Sequence, residues 1–371
     1  MPPEVEVWSC AELGNCRGLG MLSDWGPDLI FIQKVMSPEL EEQILKIAPS
    51  VFFAHDYQGT CISGVKSHKF PFNQPCAREF GPHCLLHYFP RRCGGLSPVT
   101  MARLYSLQAR RLSLLRRYHA VVTHSGHMRS ELLRHGLSPE TTHSLRFCVQ
   151  NEGTGPREID STTKPDLQRQ LNEDVSLPVR LLFSGRMERA KGGGVFLDAL
   201  PEIQHVLGRR VHVVFAGEGT ERQVWERKAR ELGERSNVEV EFVGWVNRSR
   251  INQLLSQADL LVIPSLWPEP FGLTGIEAGL WSVPAAAFDV GGISEWLTDG
   301  VNGHLAPPDS MNAHGLAASI IRCLQSRETH ARLRLGAARI ASRFSVESHV
   351  ADLLRVFRSV VVQKPASSPA G

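Results

Sequence analysis

The stretch Ala258–Glu277, ADLLVIPSLWPEPFGLTGIE, decides how this chain is read. Leu260 to Ile263 is a short run of branched apolar residues, the pattern of a strand covered on both faces, and Pro264 ends it. Ser265 to Glu269 is a polar and aromatic loop. Pro270 sets φ for a helix start, so Phe271, Gly272 and Leu273 are expected to open a helix whose first N–H groups have no internal partner. Such a terminus is an anion site. Glu269 then lies just outside it and Glu277 about two turns inside. On a continuous helix eight positions separate the two carboxylates by roughly 12 Å. A glycosidase pair spans roughly 5–9.5 Å, although a bend at Pro270 and Gly272 shortens the gap. An anion on the helix terminus, with one carboxylate on each side to bond hydroxyls, suits a sugar diphosphonucleoside. The plain alternative is one loop carboxylate and one helix-surface carboxylate with no shared task.

The segment from Glu269 to Glu277 (EPFGLTGIE) resembles the E-x7-E motif of retaining glycosyltransferases of family 4. LLFSGRMERAKGG, VVFAGEGTER, VEFVGWV, ADLLVIPS, VPAAAFDVGGISEWLTDGVNGHLAPPD and a closing FSVESHV extend the resemblance from about Val179 to about Val360. It implies the GT-B fold, an α/β architecture of two Rossmann-like doubly wound domains with a cleft between them and a C-terminal helix crossing back. The expected division is an acceptor-side domain over 1–176, a nucleotide-sugar domain over 177–344, the crossing helix over 345–362 and a disordered tail over 363–371.

Composition agrees with two folded domains: 371 residues, 42% hydrophobic and 21% charged. No apolar run approaches the length of a membrane span, and MPPEVEVWSC lacks a basic-then-apolar leader. Eight cysteines in so long a chain are no disulfide framework, which favours a reducing cytoplasm. The net charge of +3 hides an asymmetry. Cys61 to Gln150 carries 13 Lys and Arg against three acidic residues, with eight of the 15 histidines. A cationic first half suits an anionic membrane or an acidic acceptor. Nucleic acid ranks last because no nucleic-acid motif accompanies the charge.

In chain order, Glu4–Ser9, Asp28–Gln33 and Val51–Ala54 read as strands, with Ser37 capping a helix that starts at Pro38. The resembled family opens with a strand, a glycine-rich turn and a helix ahead of the strand at Glu4. Gly14, Gly18 and Gly20 do not supply that turn. The first domain is therefore expected to be incomplete, with about 30–40 further residues, one βα unit, encoded upstream. His55 follows the strand at Val51. The resemblance places a histidine there facing the donor sugar, and the plain reading is a strand-end side chain bonded to its neighbours. Cys61, Cys76, Cys84 and Cys93, with His68, His83 and His87, are numerous enough for zinc but lack a C-x2-C pair, so free thiols are the leading reading. Val99–His119 is a basic helix with Arg103, Arg110 and Arg117 at seven-residue steps, either a solvated face or one that lies on an anionic membrane. Ala120–Thr123 and Leu145–Val149 are expected as further strands. Asn151-Glu152-Gly153 imperfectly matches a short turn of the family.

In the second half Arg186 and Lys191 flank a turn that runs into Gly192-Gly193-Gly194. Two cations and bare backbone suit a pyrophosphate, while an arbitrary pair of this kind is a solvated surface feature. The resemblance assigns them to the leaving diphosphate, Glu269 to the donor sugar and Glu277 to the ribose hydroxyls. It also brings Gly185, Gly217, Phe271, Gly272 and Leu273 close to the donor, and Trp245 and Val246 to the nucleotide base. Departure of a diphosphate from C1 needs stabilised negative charge, which these groups can supply. No Asp-x-Asp pair occurs, so neither a metal nor any other cofactor is expected. The donor is expected to be of UDP or GDP type and the acceptor a carbohydrate or a lipid-linked sugar. With no evident covalent nucleophile, front-face transfer with retention is expected. A catalytically impaired remnant that still binds nucleotide sugar, and an epimerase or phosphorylase on the same architecture, are the rival readings.

Overall fold

Phe31, Val51, Phe53, Ala120 and Val122 project from one face of a small parallel sheet, and Ile30, Ile32, Phe52, Ala54 and Val121 from the other. This period-two alternation needs cover on both faces. The computed structural model describes residues 14–34, 37–149, 177–234 and 236–362. Its Cα packing falls into two compact units. One holds residues up to Lys66, Ala77–Leu145 and Val350 onward. The other holds Ser67–Cys76 and Arg146–His349. Arg146–Val149, expected in the first domain, thus group with the second. The expected strand at Glu4, the turn at Asn151 and the tail lie outside the described residues.

The first unit contains a four-stranded parallel sheet in the order β1-β2-β5-β6, formed by Ile30–Ile32, Ser50–Ala54, Ala120–Thr123 and Thr142–Ser144. Ser37 caps the helix Pro38–Ile44 through the Leu40 N–H, as expected. One sheet face is covered by the helices Pro98–Leu115 and Gly126–Arg134, through Leu112, Leu115 and Leu132. The other is covered by Leu353, Val356, Phe357 and Val360 of the helix Val346–Val362, and Phe31 meets Phe357 edge-on at 5.2 Å. Leu145–Val149, expected as a strand, is not one. The ladder partner of β5 is Thr142–Ser144, while Leu145 turns into the core and the Val149 N–H bonds the Phe344 carbonyl at 3.2 Å.

A buried charged cluster fastens the long connection after β2. Lys66, with φ of 55°, is 3% exposed, and its ammonium contacts the Glu131 carboxylate and the carbonyls of Thr60 and Arg78. His135 accepts from the Phe80 N–H at 2.7 Å through Nε2 and donates to the Glu131 carbonyl at 2.7 Å through Nδ1. Burial holds its pKa below the usual histidine range. Free thiols are the leading reading for the cysteines of this stretch, with zinc the alternative. Among the described residues no group of three or more His, Cys, Asp or Glu is placed to hold a metal ion. Cys61 accepts from the Lys66 N–H instead, and Cys84 and Cys93 bond nearby carbonyls.

The second unit is built on six parallel strands in the order β12-β11-β10-β7-β8-β9. These are Gly303–Ala306, Ala285–Phe288, Leu260–Ile263, Val179–Ser184, Val211–Ala216 and Val238–Gly244. A two-residue pair, β3 (Ser67–His68) with β4 (Gln74–Pro75), groups with this unit. The apolar runs LLVI and AAAF are fully buried, as strands covered on both faces must be. Winding proceeds from β7 outward to β8 and β9, then returns to β10 on the other side of β7. The strand order therefore reverses between β7 and β10, and in an open α/β sheet the crevice beyond the carboxyl ends at such a reversal is the usual ligand position.

Candidate functional site on the second unit

Backbone bonds stitch together the loops that leave β7, β8 and β9. The Gly185 N–H bonds the Ala216 carbonyl at 3.0 Å, Gly217 N–H the Gly244 carbonyl at 2.8 Å, and Met187 N–H the Glu218 carbonyl at 2.7 Å. A Cβ on Gly217 would stand 2.0 Å from the Gly185 oxygen, so this approach admits only glycine. Met187 is fully buried and anchors the turn that presents Arg186 and Lys191.

Lys191 closes a single turn, Arg189–Lys191, and Gly192 follows in the left-handed region with φ of 73°. A Cβ there would lie 1.7 Å from the Pro264 oxygen, and the Leu266 N–H bonds the Ala190 carbonyl at 2.8 Å. The exit of β7 is thus sewn to the exit of β10 at the point where strand order reverses. Gly192→Ala is expected to destabilise the unit by about 1–3 kcal/mol, the scale of one strained backbone position. It should also displace the lysine. Thermal unfolding together with nucleotide titration checks both, and an unchanged melting temperature would contradict this packing.

Lys191 Nζ donates to Glu269 Oε1 at 2.7 Å, and the same oxygen accepts from Trp267 Nε1 at 2.8 Å and from the Ser265 hydroxyl. The ammonium also sits 5.1 Å from the centre of the Trp267 ring, a cation–π distance. Glu269 is 6% exposed, so its charge is carried by these donors rather than by water. Its backbone is pinned as well, the Gly292 N–H bonding its carbonyl at 2.6 Å. Ser265 and Trp267 were not singled out in the sequence, although positions 265, 267 and 269 alternate as side chains on one face of an extended loop do.

The helix expected to start at Pro270 begins at Leu273 and runs to Leu280, with Gly272 at its cap in the left-handed region, φ 85°. Pro270 and Phe271 are therefore loop. The Phe271 ring is buried between Phe147 and Phe344, each at 5.7 Å, and its carbonyl accepts from Trp296 Nε1 at 2.8 Å. Its side chain is part of the core. Glu277, in the second turn, pairs with Arg248, a partner the sequence reading missed. Arg186 is largely exposed and bonds Glu188 at 2.8 Å. Trp245 is 76% exposed at the end of β9, beside the half-buried Val246. Lys191, Glu269, Arg186 and Glu277 are each paired with an opposite charge within this unit, and all follow carboxyl ends of its strands.

On the first unit, His55 stands at the end of β2. Its Nδ1 lies 2.8 Å from His124 Nε2, and its ring is 4.6 Å from Phe53. Burial depresses its pKa, partly opposed by Asp56, which favours neutral imidazole at pH 7. A cavity of about 160 Å³ beside it is lined by Gln33, Lys34, Glu41, Asp56, Gln58 and Arg111 among others.

Comparison with known proteins finds glycosyltransferases among the relatives. Residues 166–339 match the family model described as glycosyl transferases group 1. An uncharacterized glycosyltransferase of Methanocaldococcus jannaschii is 30% identical over 219 residues, covering 57% of this chain and 52% of that protein. A glycogen synthase of Mycobacterium tuberculosis is 32% identical over 189 residues, covering 48% and 42%. The chain thus spans about half the length of the curated relatives it matches. The crystal structure of Anabaena HepE in complex with UDP and glucose superposes with a TM-score of 0.65 at 20% identity, covering 95% of this chain and 83% of that one. The fold is GT-B, with two Rossmann-like domains.

Proposed function

We propose that the chain is a glycosyltransferase that moves a sugar from a nucleotide-sugar donor of UDP type to a carbohydrate or lipid-linked acceptor, with retention and without an obligatory metal. The observation that carries this reading is the Lys191–Glu269 pair at the strand reversal of the second unit, with Arg186 on the same β7 exit turn as Lys191 and Glu277 on the helix that follows Glu269. The group 1 family match over 166–339 and the UDP held by the structurally similar HepE support it.

In this reading the diphosphate lies against the first N–H groups of the helix Leu273–Leu280, and Arg186 and Lys191 neutralise the charge that develops as C1 leaves it. Glu277, oriented by Arg248, bonds the ribose hydroxyls. Glu269 bonds the donor sugar, and the base lies near Trp245 and Val246. His55 stays neutral and offers a hydrogen bond rather than a charge, and acceptor hydroxyls occupy the cavity beside it. The departing phosphate oxygen takes the acceptor proton as the new glycosidic bond forms on the face the diphosphate leaves.

Thermal unfolding with UDP, GDP and ADP tests the donor assignment. UDP at about 100 times its dissociation constant stabilises by about 2.7 kcal/mol, a visible upward shift. Glu277→Ala should abolish it. A shift with UDP but no turnover on any acceptor leaves a binding remnant, and no shift with any nucleotide removes the proposal. Inverted product stereochemistry by NMR would overturn front-face transfer alone.

A further inference from the structure

Gly81 to Ser130 holds eight arginines and five histidines and neither an aspartate nor a glutamate. The sequence placed this charge along a stripe of the basic helix, but the fold neutralises much of that stripe. Arg110 lies between Glu39 and Glu42, and Arg117 Nη1 is 4.0 Å from Glu42 Oε1. Exposed arginines also lie near the N-terminal end of Pro98–Leu115 and in the segment before it.

There the short helix His83–Tyr88 packs on the longer one. Ile62, Tyr88 and Cys93 form a small core with Leu85, Met101, Leu104 and Tyr105. That core leaves large aliphatic side chains outside: Leu86 is 76% exposed, Leu96 79% and Val99 68%. Leu96 and Val99 flank the cap residue Ser97, so they stand within one turn of each other. Arg91, Arg92 and Arg103 belong to the same substructure, and Arg92 and Arg103 are exposed. Aliphatic groups in water beside charge of one sign are unfavourable as a bare surface. An anionic bilayer answers both features, with an apolar layer for the aliphatic groups and phosphate oxygens for the guanidiniums.

We propose that Leu86, Leu96 and Val99, framed by Arg91, Arg92 and Arg103, form a docking surface for anionic phospholipid membrane. Contact is by shallow insertion of these three aliphatic side chains. Binding is reversible, and added salt weakens its electrostatic share.

Sedimentation of the full chain with vesicles of phosphatidylcholine, alone or mixed with phosphatidylglycerol, tests this. The mixed vesicles should bind at least about tenfold more strongly, and less so at high salt. Leu86→Ser/Leu96→Ser/Val99→Ser should weaken binding about tenfold at an unchanged melting temperature, because these side chains support no core. Arg91→Gln/Arg92→Gln/Arg103→Gln should remove the preference for phosphatidylglycerol. No sedimentation with either vesicle, or binding that the serine variant retains in full, overturns the proposal. So does a wild-type dimer that the serine variant turns into a monomer without loss of vesicle binding, which would assign the patch to a second copy of this chain.

Discussion

Lys191→Met is expected to lower turnover about 10²–10³-fold, the usual cost of removing one preorganised group from a developing anion. Glu269→Gln should lower turnover comparably yet act on UDP binding in the opposite direction. The Lys191 ammonium is bound to Glu269 Oε1 at 2.7 Å, so on the proposed reading a diphosphate competes with that carboxylate. The amide competes less well, and UDP affinity should rise by up to about fivefold, the worth of a partly exposed ion pair. Lys191→Met should weaken UDP binding instead. Isothermal titration of both variants with UDP, beside initial rates, separates the signs. Equal weakening in both would mean that the pair is structural and that the diphosphate binds elsewhere.

Glu131→Leu is expected to destabilise the first unit by about 3–5 kcal/mol. The substitution strands the Lys66 ammonium, which is 3% exposed, with only carbonyl partners. The double variant Lys66→Met/Glu131→Leu should recover most of that loss, because an apolar pair of similar volume needs no compensating charge. Urea unfolding followed by circular dichroism measures both. If the single variant costs under about 1 kcal/mol, the pair is hydrated in solution and does not fasten the connection after β2.

Leu260–Ile263 was legible because it is an apolar run with a sharp end at Pro264, whereas Gly303–Ala306, GHLA, has no such run and was not foreseen. Leu145–Val149 has the same look and failed. Strand identity there depends on the register with β5, which Thr142–Ser144 occupies. Proline at 270 suggested a helix start, but backbone geometry postponed it to Leu273, after the left-handed Gly272. The motifs singled out four charged candidates, Arg186, Lys191, Glu269 and Glu277, but not the partners they pair with. Arg248 is far from Glu277 in sequence, and three donors converge on one oxygen of Glu269 only after β7 and β10 lie side by side. The basic helix misled for a simpler reason. The acids that answer Arg110 and Arg117, Glu39 and Glu42, lie before the window over which charge was counted.

The helix Val346–Val362 has a consequence for synthesis. Its Val356, Phe357 and Val360 complete the core on one face of the first unit's sheet, whose strands end at Ser144. A ribosome therefore releases that sheet with one apolar face uncovered and makes the whole second unit before the cover emerges. Vectorial folding of the first unit cannot finish ahead of the second, so the nascent chain passes through a long interval with sticky surface exposed. Interruptions that cut this chain short of Val356 should yield insoluble product even when every strand of both sheets has been made.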